Sequence, residues 1–560
     1  TTADPSFTSS GWFTAGVGSF NELFGSLYGT TGLSEKVAVD WSLYYRDSDS
    51  YHDDVNTGKP TAPIHQKVAR AKVLFLPSDS SKLVLTLEYS DLNDPGGLTE
   101  VTRDPIAQFY HDVFGVPIVT TLESDKTSLN YQPRSNPVTS TASLKGVFQI
   151  GDVTLKSLTQ YRDQEADIRA DLDGTSILYW NAEYEELEKT FTQEFNFSGS
   201  GERLNWTAGV YYLDDTGSLT NNAWQDFFNS GTRTQWLYSE AEVSTESVGV
   251  YADGALRFGD RFWLTLGGRY TSEEKRLKSQ GLLPPFTAYD DATRWEEFTP
   301  RAVLRFAPTE GSSLYASFAQ GFMSGNYTYT TVGPQEAVDP ERITQYELGY
   351  KATGSGWSFD TAAYFSDYKD LQVFLFDDAC VCFHLDNAPK AETYGWEGQL
   401  WKRLAPDFSL NLSLAYTHAR YKEYVGIGLT GGPYIAPNYG LATAPTDFSG
   451  RQMVRTPEWT GSVGFSYNPE VSFGRINLSG NYYYTSEIPL SPGGELVQDA
   501  YGLASLRLGW TSSSGSYSVS LIAQNLFDET YLVFSGGGFL GNNHIYGPPA
   551  SYGLRFEFRY

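Results

Sequence analysis

Apolar and polar positions alternate strictly at the end of the chain. Tyr552, Leu554, Phe556, Phe558 and Tyr560 share one parity, and Ser551, Gly553, Arg555, Glu557 and Arg559 share the other. A strand built this way has one oily face and one charged face. About ten such residues is the length a tilted strand needs to cross a bilayer. An edge strand of a soluble sandwich alternates in the same way, so the rest of the chain has to decide between the two.

The pattern recurs. Over residues 36–46, Val37, Val39, Trp41, Leu43 and Tyr45 oppose Ala38, Asp40, Ser42, Tyr44 and Arg46, and a polar loop follows over 47–65. Ala69, Ala71, Val73 and Phe75 then oppose Arg70, Lys72 and Leu74, and the chain turns through Pro77, Ser78 and Asp79 into Leu83, Leu85, Leu87 and Tyr89. A long connector covers 91–138. Further tight turns fall at Gly151 and Asp152, Gly199 to Gly201, Gly259 and Asp260, Pro308 to Gly311, and Gly354 to Gly356, with later ones near 405, 468 and 512. Counting from Trp12 gives roughly 22 strands joined by about ten short turns and eleven longer loops, the asymmetry of an outer-membrane barrel. The fold class is therefore all-β, a transmembrane antiparallel up-and-down β-barrel. Its last strand is expected to pair with a first strand supplying Trp12, Gly16 and Gly18. Both termini fall on the short-turn side, taken as the periplasm. Tyr44, Tyr45, Tyr89, Tyr211, Tyr212, Tyr270 and Trp510, near strand ends, fit interfacial girdles.

Composition removes the alternatives. The chain of 560 residues carries a formal charge of -27, which repels phosphates, so nucleic acid is not an expected partner. Mean hydropathy is -0.36 and no apolar run is long enough for a membrane helix. Barrel strands bury only every second residue and average out as hydrophilic. A propeller would repeat its connectors with the blade, and these do not. The sequence opens without a charged segment followed by an apolar one, so any export signal is expected to have been removed already. The expected partners are the lipid bilayer with its lipopolysaccharide, and a small-molecule or metal-chelate substrate.

Four stretches resemble the TonB-dependent outer-membrane receptors. They are Leu314-Tyr-Ala-Ser-Phe-Ala-Gln-Gly-Phe322 with Ser324-Gly325, Tyr346-Glu-Leu-Gly-Tyr-Lys351, Ala362-Ala-Tyr-Phe-Ser-Asp-Tyr-Lys-Asp-Leu-Gln372, and Asn525-Leu-Phe-Asp-Glu-Thr-Tyr531 followed by Tyr546-Gly-Pro-Pro and the closing strand. Each motif alone is weak; four in family order are specific. The resemblance implies a receptor that takes up a scarce nutrient, most often a ferric siderophore, on energy passed through TonB to a plug domain. Two departures stand out: the chain ends in Tyr560 where the family mostly has Phe, and residues 1–10 look like the junction after a plug. Residues 11–560 are then the barrel, and the plug is expected to have been removed, to be a separate chain, or never to have existed. A plugless barrel could also act as a passive, porin-like pore.

No catalytic constellation stands out; neither an enzyme activity nor a cofactor nor a resident metal is expected. Lumen-parity charges, Asp40, Arg46, Arg70, Lys72, Arg301, Arg305, Arg507, Arg555 and Glu557, read as a solvated, mutually paired inner wall. Cys380 and Cys382, beside His384, admit a soft metal, free or intermolecular thiols, or a disulfide. An exported loop is oxidising, so the disulfide is the reading taken. Loop aromatics without strand parity mark the recognition surface: Trp224, Phe227, Phe228, Trp236 and Tyr238 within 222–240, and Tyr327 and Tyr329 after Met323. Such rings stack on flat or sugar-like ligands or aromatic siderophore groups; packing on one another is the alternative. Acidic loops disfavour a strongly anionic ligand.

Overall fold

The computed structural model describes residues 3–95, 100–103, 112–113, 115, 124–178, 180–226, 231–283, 288–329, 336–377, 382–430, 442–538 and 541–560. Twenty-two antiparallel strands close into one barrel. The seam joins Ser10–Gly18 to Ser551–Arg559, with Phe13 opposite Phe558, Ala15 opposite Phe556 and Val17 opposite Leu554. As expected, the first strand supplies Trp12, Gly16 and Gly18 to this seam, opposite Arg559, Arg555 and Gly553. Its outward face is Phe13, Ala15 and Val17, and Trp12 turns inward and stacks on Tyr28 at 6.0 Å.

The oily face lies outside. Trp41, Leu43, Leu85, Leu87, Val248, Val250, Leu304, Leu412 and Phe556 are all exposed on it, the reverse of a soluble protein. No helix of the structure is long and apolar enough to cross a membrane. Tyr45, Tyr89, Tyr212, Tyr270 and Trp510 hold that outward parity at strand ends, as girdle residues should. Tyr44 and Tyr211 do not. They share the inward parity, where the Arg269 guanidinium lies 5.6 Å from the Tyr211 ring.

One end of the barrel is low and the other high. Tight connectors such as 79–80, 151–152 and 355–356 join strands at the low end. At the opposite end strands run far past the span of a bilayer: Thr234–Phe258 has 25 residues and Cys382–Ala405 has 24, where about ten suffice to cross. The polar loop expected at 222–240 is therefore mostly strand. Leu204–Gln225 and Thr234–Phe258 stay paired to Gln225 opposite Thr234, with a register shift at Ala223 and Trp224. Above the bilayer neither face needs to be oily, so pairing continues while the alternation that signals a strand disappears.

Buried apolar groups are few and sit at the two ends. Ala38, Leu74 and Val84 pack near the short turns. At the long-loop end Tyr421, Tyr424 and Phe448 pack with Ala388 and Ala391, and Tyr327 packs with Ala241 and Leu277.

Candidate functional site

Inward-facing side chains make a polar wall. Arg46 donates to Glu22 at 2.9 Å, Arg301 pairs with Asp253 at 3.1 Å, and Arg555 lies 3.6 Å from Glu557. Arg507 donates to the Ser520 hydroxyl at 3.3 Å. Among the described residues no carboxylate holds Arg305; it stacks over the Trp263 ring at 4.0 Å. Mutual pairing therefore describes only part of this wall. Asp40 stands opposite Lys72 and Ser42 opposite Arg70 in register, yet the Lys72 ammonium donates to the Ala3 carbonyl at 2.7 Å. Neither Asp40 oxygen, nor Arg70 Nε, has a hydrogen-bond partner among the described residues.

Residues 3–7 explain the burial of Asp40. This segment lies against the inner wall: Asp4 pairs with Lys82, Ser6 exchanges hydrogen bonds with Thr30, and the Phe7 carbonyl accepts from Gly32. Asp40 is left 2% exposed.

The aromatics expected to form a recognition surface separate into different environments. Trp224 sits in a strand, opposite Asn181, with the Arg233 guanidinium 5.0 Å from its ring. Trp236 meets Trp180 edge to face at 5.5 Å. Tyr238 shares the parity of Val248 and Val250 along one strand, so it continues the outward face and does not line the lumen, whereas Trp236 is the extra residue at the register shift. Tyr327 is fully buried. Its hydroxyl reaches Asp291 and Thr293, each at 2.9 Å, and burial pushes its phenol up to about 12. Tyr327 is thus a packing residue. Tyr329 is 43% exposed, and the partial burial of its ring raises its phenol pKa. Phe227 and Phe228 lie outside the described residues, as does Cys380. Cys382 begins a strand opposite Asp377.

Two features of the long-loop end escaped sequence reasoning. Arg233 bridges Trp224 and Tyr131, lying 5.3 Å from the latter ring, while Tyr131 donates to Glu183. Burial, then that carboxylate, raises the Tyr131 phenol pKa. The second feature is a clamp between loops. Asp53 and Asp54 pair in parallel with Lys126 and Thr127, and His52 beside them is 2% exposed, its ring 4.2 Å from Tyr51. Burial lowers the His52 pKa to about 4 despite the nearby Asp125 and Asp53 charges. No local pattern signals contacts between residues as distant in sequence as Asp53 and Lys126 or Tyr131 and Arg233.

Among the described residues no group of three or more His, Cys, Asp or Glu could hold a metal ion. The arrangement is a wide polar channel wall beneath a tall, aromatic-bearing rim, suited to passing or binding a solute. The family model for the TonB dependent receptor-like beta-barrel matches residues 71–526. This chain belongs to the TonB-dependent receptors. Solved structures agree with the receptor fold: the ferric yersiniabactin uptake receptor FyuA from Yersinia pestis superposes with a TM-score of 0.83 at 15% identity, over 100% of this chain and 81% of that one. The siderophore receptor PiuA from Acinetobacter baumannii gives 0.79 at 14% identity, over 100% and 82%. BauA, the ferric preacinetobactin receptor of the same organism, gives 0.71 at 14%, over 100% and 81%. No curated protein matches the chain by sequence. A receptor barrel of this family lies in the bacterial outer membrane and belongs with transporters, not enzymes.

Proposed function

We propose that this barrel is the membrane-spanning part of an uptake receptor for a ferric siderophore, with its short turns and both chain ends in the periplasm and its long strands projecting outward. The observation that carries this reading is the family match over 71–526 on a closed barrel with a polar inner wall; structural neighbours described as ferric-siderophore receptors add to it. Recognition falls to the rim aromatics, exposed Tyr329 and the half-buried Trp224 and Tyr131 bridged by Arg233, with Phe227 and Phe228 as neighbours in sequence. Because the chain is strongly acidic, a neutral or weakly charged chelate with aromatic groups suits it better than a highly anionic one. Energy from TonB is transmitted through a plug segment outside these 560 residues, of the same or another polypeptide. Lipopolysaccharide packs against the outward strand extensions.

The test is equilibrium binding to detergent-purified barrel, by tryptophan quenching, of a panel of ferric catecholate, hydroxamate and citrate chelates. Saturable binding of one class, weakened by Trp224→Ala or Tyr329→Ala, is the expected result. Failure of every chelate, together with a large unselective conductance in planar bilayers, would replace uptake with a passive pore.

A further inference from the structure

The tryptophans at the short-turn end have two orientations. Trp206, Trp357 and Trp510 hold the outward parity of their strands. Trp263 and Trp401 hold the opposite one: Trp263 is followed by outward Leu264, and Trp401 follows outward Leu400. At the Trp263 level the outer face carries a stack of Phe258, Phe262 and Phe306, with centroids 5.6 and 4.7 Å apart. The inner face of the same rungs carries Arg257, Trp263 and Arg305, with the two guanidinium carbons 5.7 and 4.0 Å from the indole. The motif repeats at the second site, where Arg403 lies 5.6 Å from the Trp401 ring. Facing inward, neither tryptophan can serve as a bilayer anchor.

Each pair lines its own cavity. The first, about 610 Å³, adds Arg261 and Lys351 to Trp263 and Arg305; the second, about 660 Å³, adds Arg475 to Trp401 and Arg403. Asp260 and Glu310 border the first cavity, and Asp407 and Glu470 the second, but Asp260 already faces Arg257 at 3.8 Å and Glu470 holds Arg475 at 2.6 Å. Among the described residues neither Arg305 nor Arg403 has a side-chain hydrogen bond or ion pair. A guanidinium stacked on an indole keeps its in-plane N–H edge free, and that edge matches a carboxylate in bidentate fashion. In a chain of charge -27, two guanidinium edges free of carboxylate partners among the described residues thus stand at one mouth.

We propose that Trp263 with Arg305 and Trp401 with Arg403 form a two-point docking surface for a carboxylate-rich protein segment at the short-turn mouth of the barrel. Phe262–Gly281 and Cys382–Ala405 are five strands apart, so the pockets are separated by on the order of 24 Å across the sheet. A small anion fills one pocket only. An extended segment of roughly eight residues reaches both, and engagement of the second pocket then becomes intramolecular. That the partner is periplasmic rests on the orientation proposed above; the docking itself does not, and external labelling of a cysteine placed in a short turn tests the orientation separately.

The experiment is fluorescence anisotropy with the detergent-purified chain and three labelled peptides. One carries glutamates at both ends of a flexible linker long enough to span the pockets, one carries them at a single end, and one has lysines in their place. The two-ended acidic peptide is expected to bind about tenfold tighter than the single-ended one, more weakly as salt rises. Arg305→Gln and Arg403→Gln are each expected to abolish that advantage, while Lys59→Gln at the far end leaves it intact. Unchanged heat-modifiable migration of each variant confirms a closed barrel. Equal binding of the two acidic peptides, equal binding of the lysine peptide, or wild-type binding by the double variant would overturn the proposal. So would competition by inorganic phosphate at concentrations matching the peptide.

Discussion

Tyr327 donates its hydroxyl to the Asp291 carboxylate at 2.9 Å from a position with no exposed surface, 36 residues along the chain. This bond and the Thr293 contact tie residues 324–329 to the inner wall, reinforced by Gln372, which donates to the Ser324 carbonyl at 2.9 Å. Tyr327→Phe removes the donor and keeps the ring, leaving Asp291 to find another partner. The expected cost is about 1–3 kcal/mol, the penalty of an unsatisfied buried polar group. It is local: hydrogen exchange should quicken over 324–329 while the membrane strands stay protected. Uniform acceleration along the chain would contradict this.

His52 links the loop clamp to pH. Its folded pKa, near 4, lies below the ordinary histidine value of 6.5 because burial disfavours the charged ring. The folded state therefore prefers neutral imidazole. Stability from this group is complete above pH 6.5, falls as pH drops toward 4 while the opened loop takes up a proton first, and levels off below that. The loss amounts to about 3 kcal/mol at most. Exchange of the amides over 50–63 at pH 7 and pH 5 measures it, and His52→Gln should flatten the difference. A clamp that opens equally at both pH values in the wild type would show that His52 does not titrate with opening.

Legibility followed polarity. Where one face meets lipid and the other water, as in Trp41 and Leu43 against Asp40 and Ser42, alternation revealed the strand, its facing and its place in the barrel. Gly16 and Gly18 have no side chain and so carry no facing signal, and the register with Phe558 is what shows Phe13 turned outward. Trp224, Trp236 and Tyr238 looked like loop residues because their strands run on past the bilayer span, where neither face needs to be oily. Tyr327 was recognisable as an aromatic in a loop, but its burial depends on Leu277 and Ala241 from distant strands, which no local pattern encodes. Among the lumen charges, the contact of Lys72 with Ala3 depends on segment 3–7, whose path along the wall is a tertiary fact.

Cys380 and Cys382 carry a simpler expectation. As a disulfide in the oxidising exterior, they leave the non-reduced chain two hydrogens lighter than the reduced one in intact mass, with no alkylation by iodoacetamide before reduction. Stoichiometric zinc or copper in the purified protein would assign them to a metal instead.

The seam is one of the barrel's short junctions. Seven rungs join Ser10–Gly18 to Ser551–Arg559, whereas Leu204–Gln225 and Thr234–Phe258 share more than twenty rungs. The end of the seam is closed by Gly11 and Tyr560, whose backbones exchange hydrogen bonds of 3.1 and 3.2 Å. A side chain at Gly11 would meet the Tyr28 carbonyl and the Tyr560 ring, each at 2.6 Å. The ring can swing aside but the carbonyl belongs to a neighbouring strand and cannot move without breaking its ladder. Gly11→Val should therefore cost about 1–3 kcal/mol as overpacking, concentrated at the seam that closes the barrel. The measurement is heat-modifiable gel migration across a temperature series: the variant should convert to the unfolded position at a lower temperature than wild type. Gly217→Val serves as the control, because a side chain there meets nothing within 4 Å. If the two variants convert together, crowding at the seam is not what limits the barrel's stability.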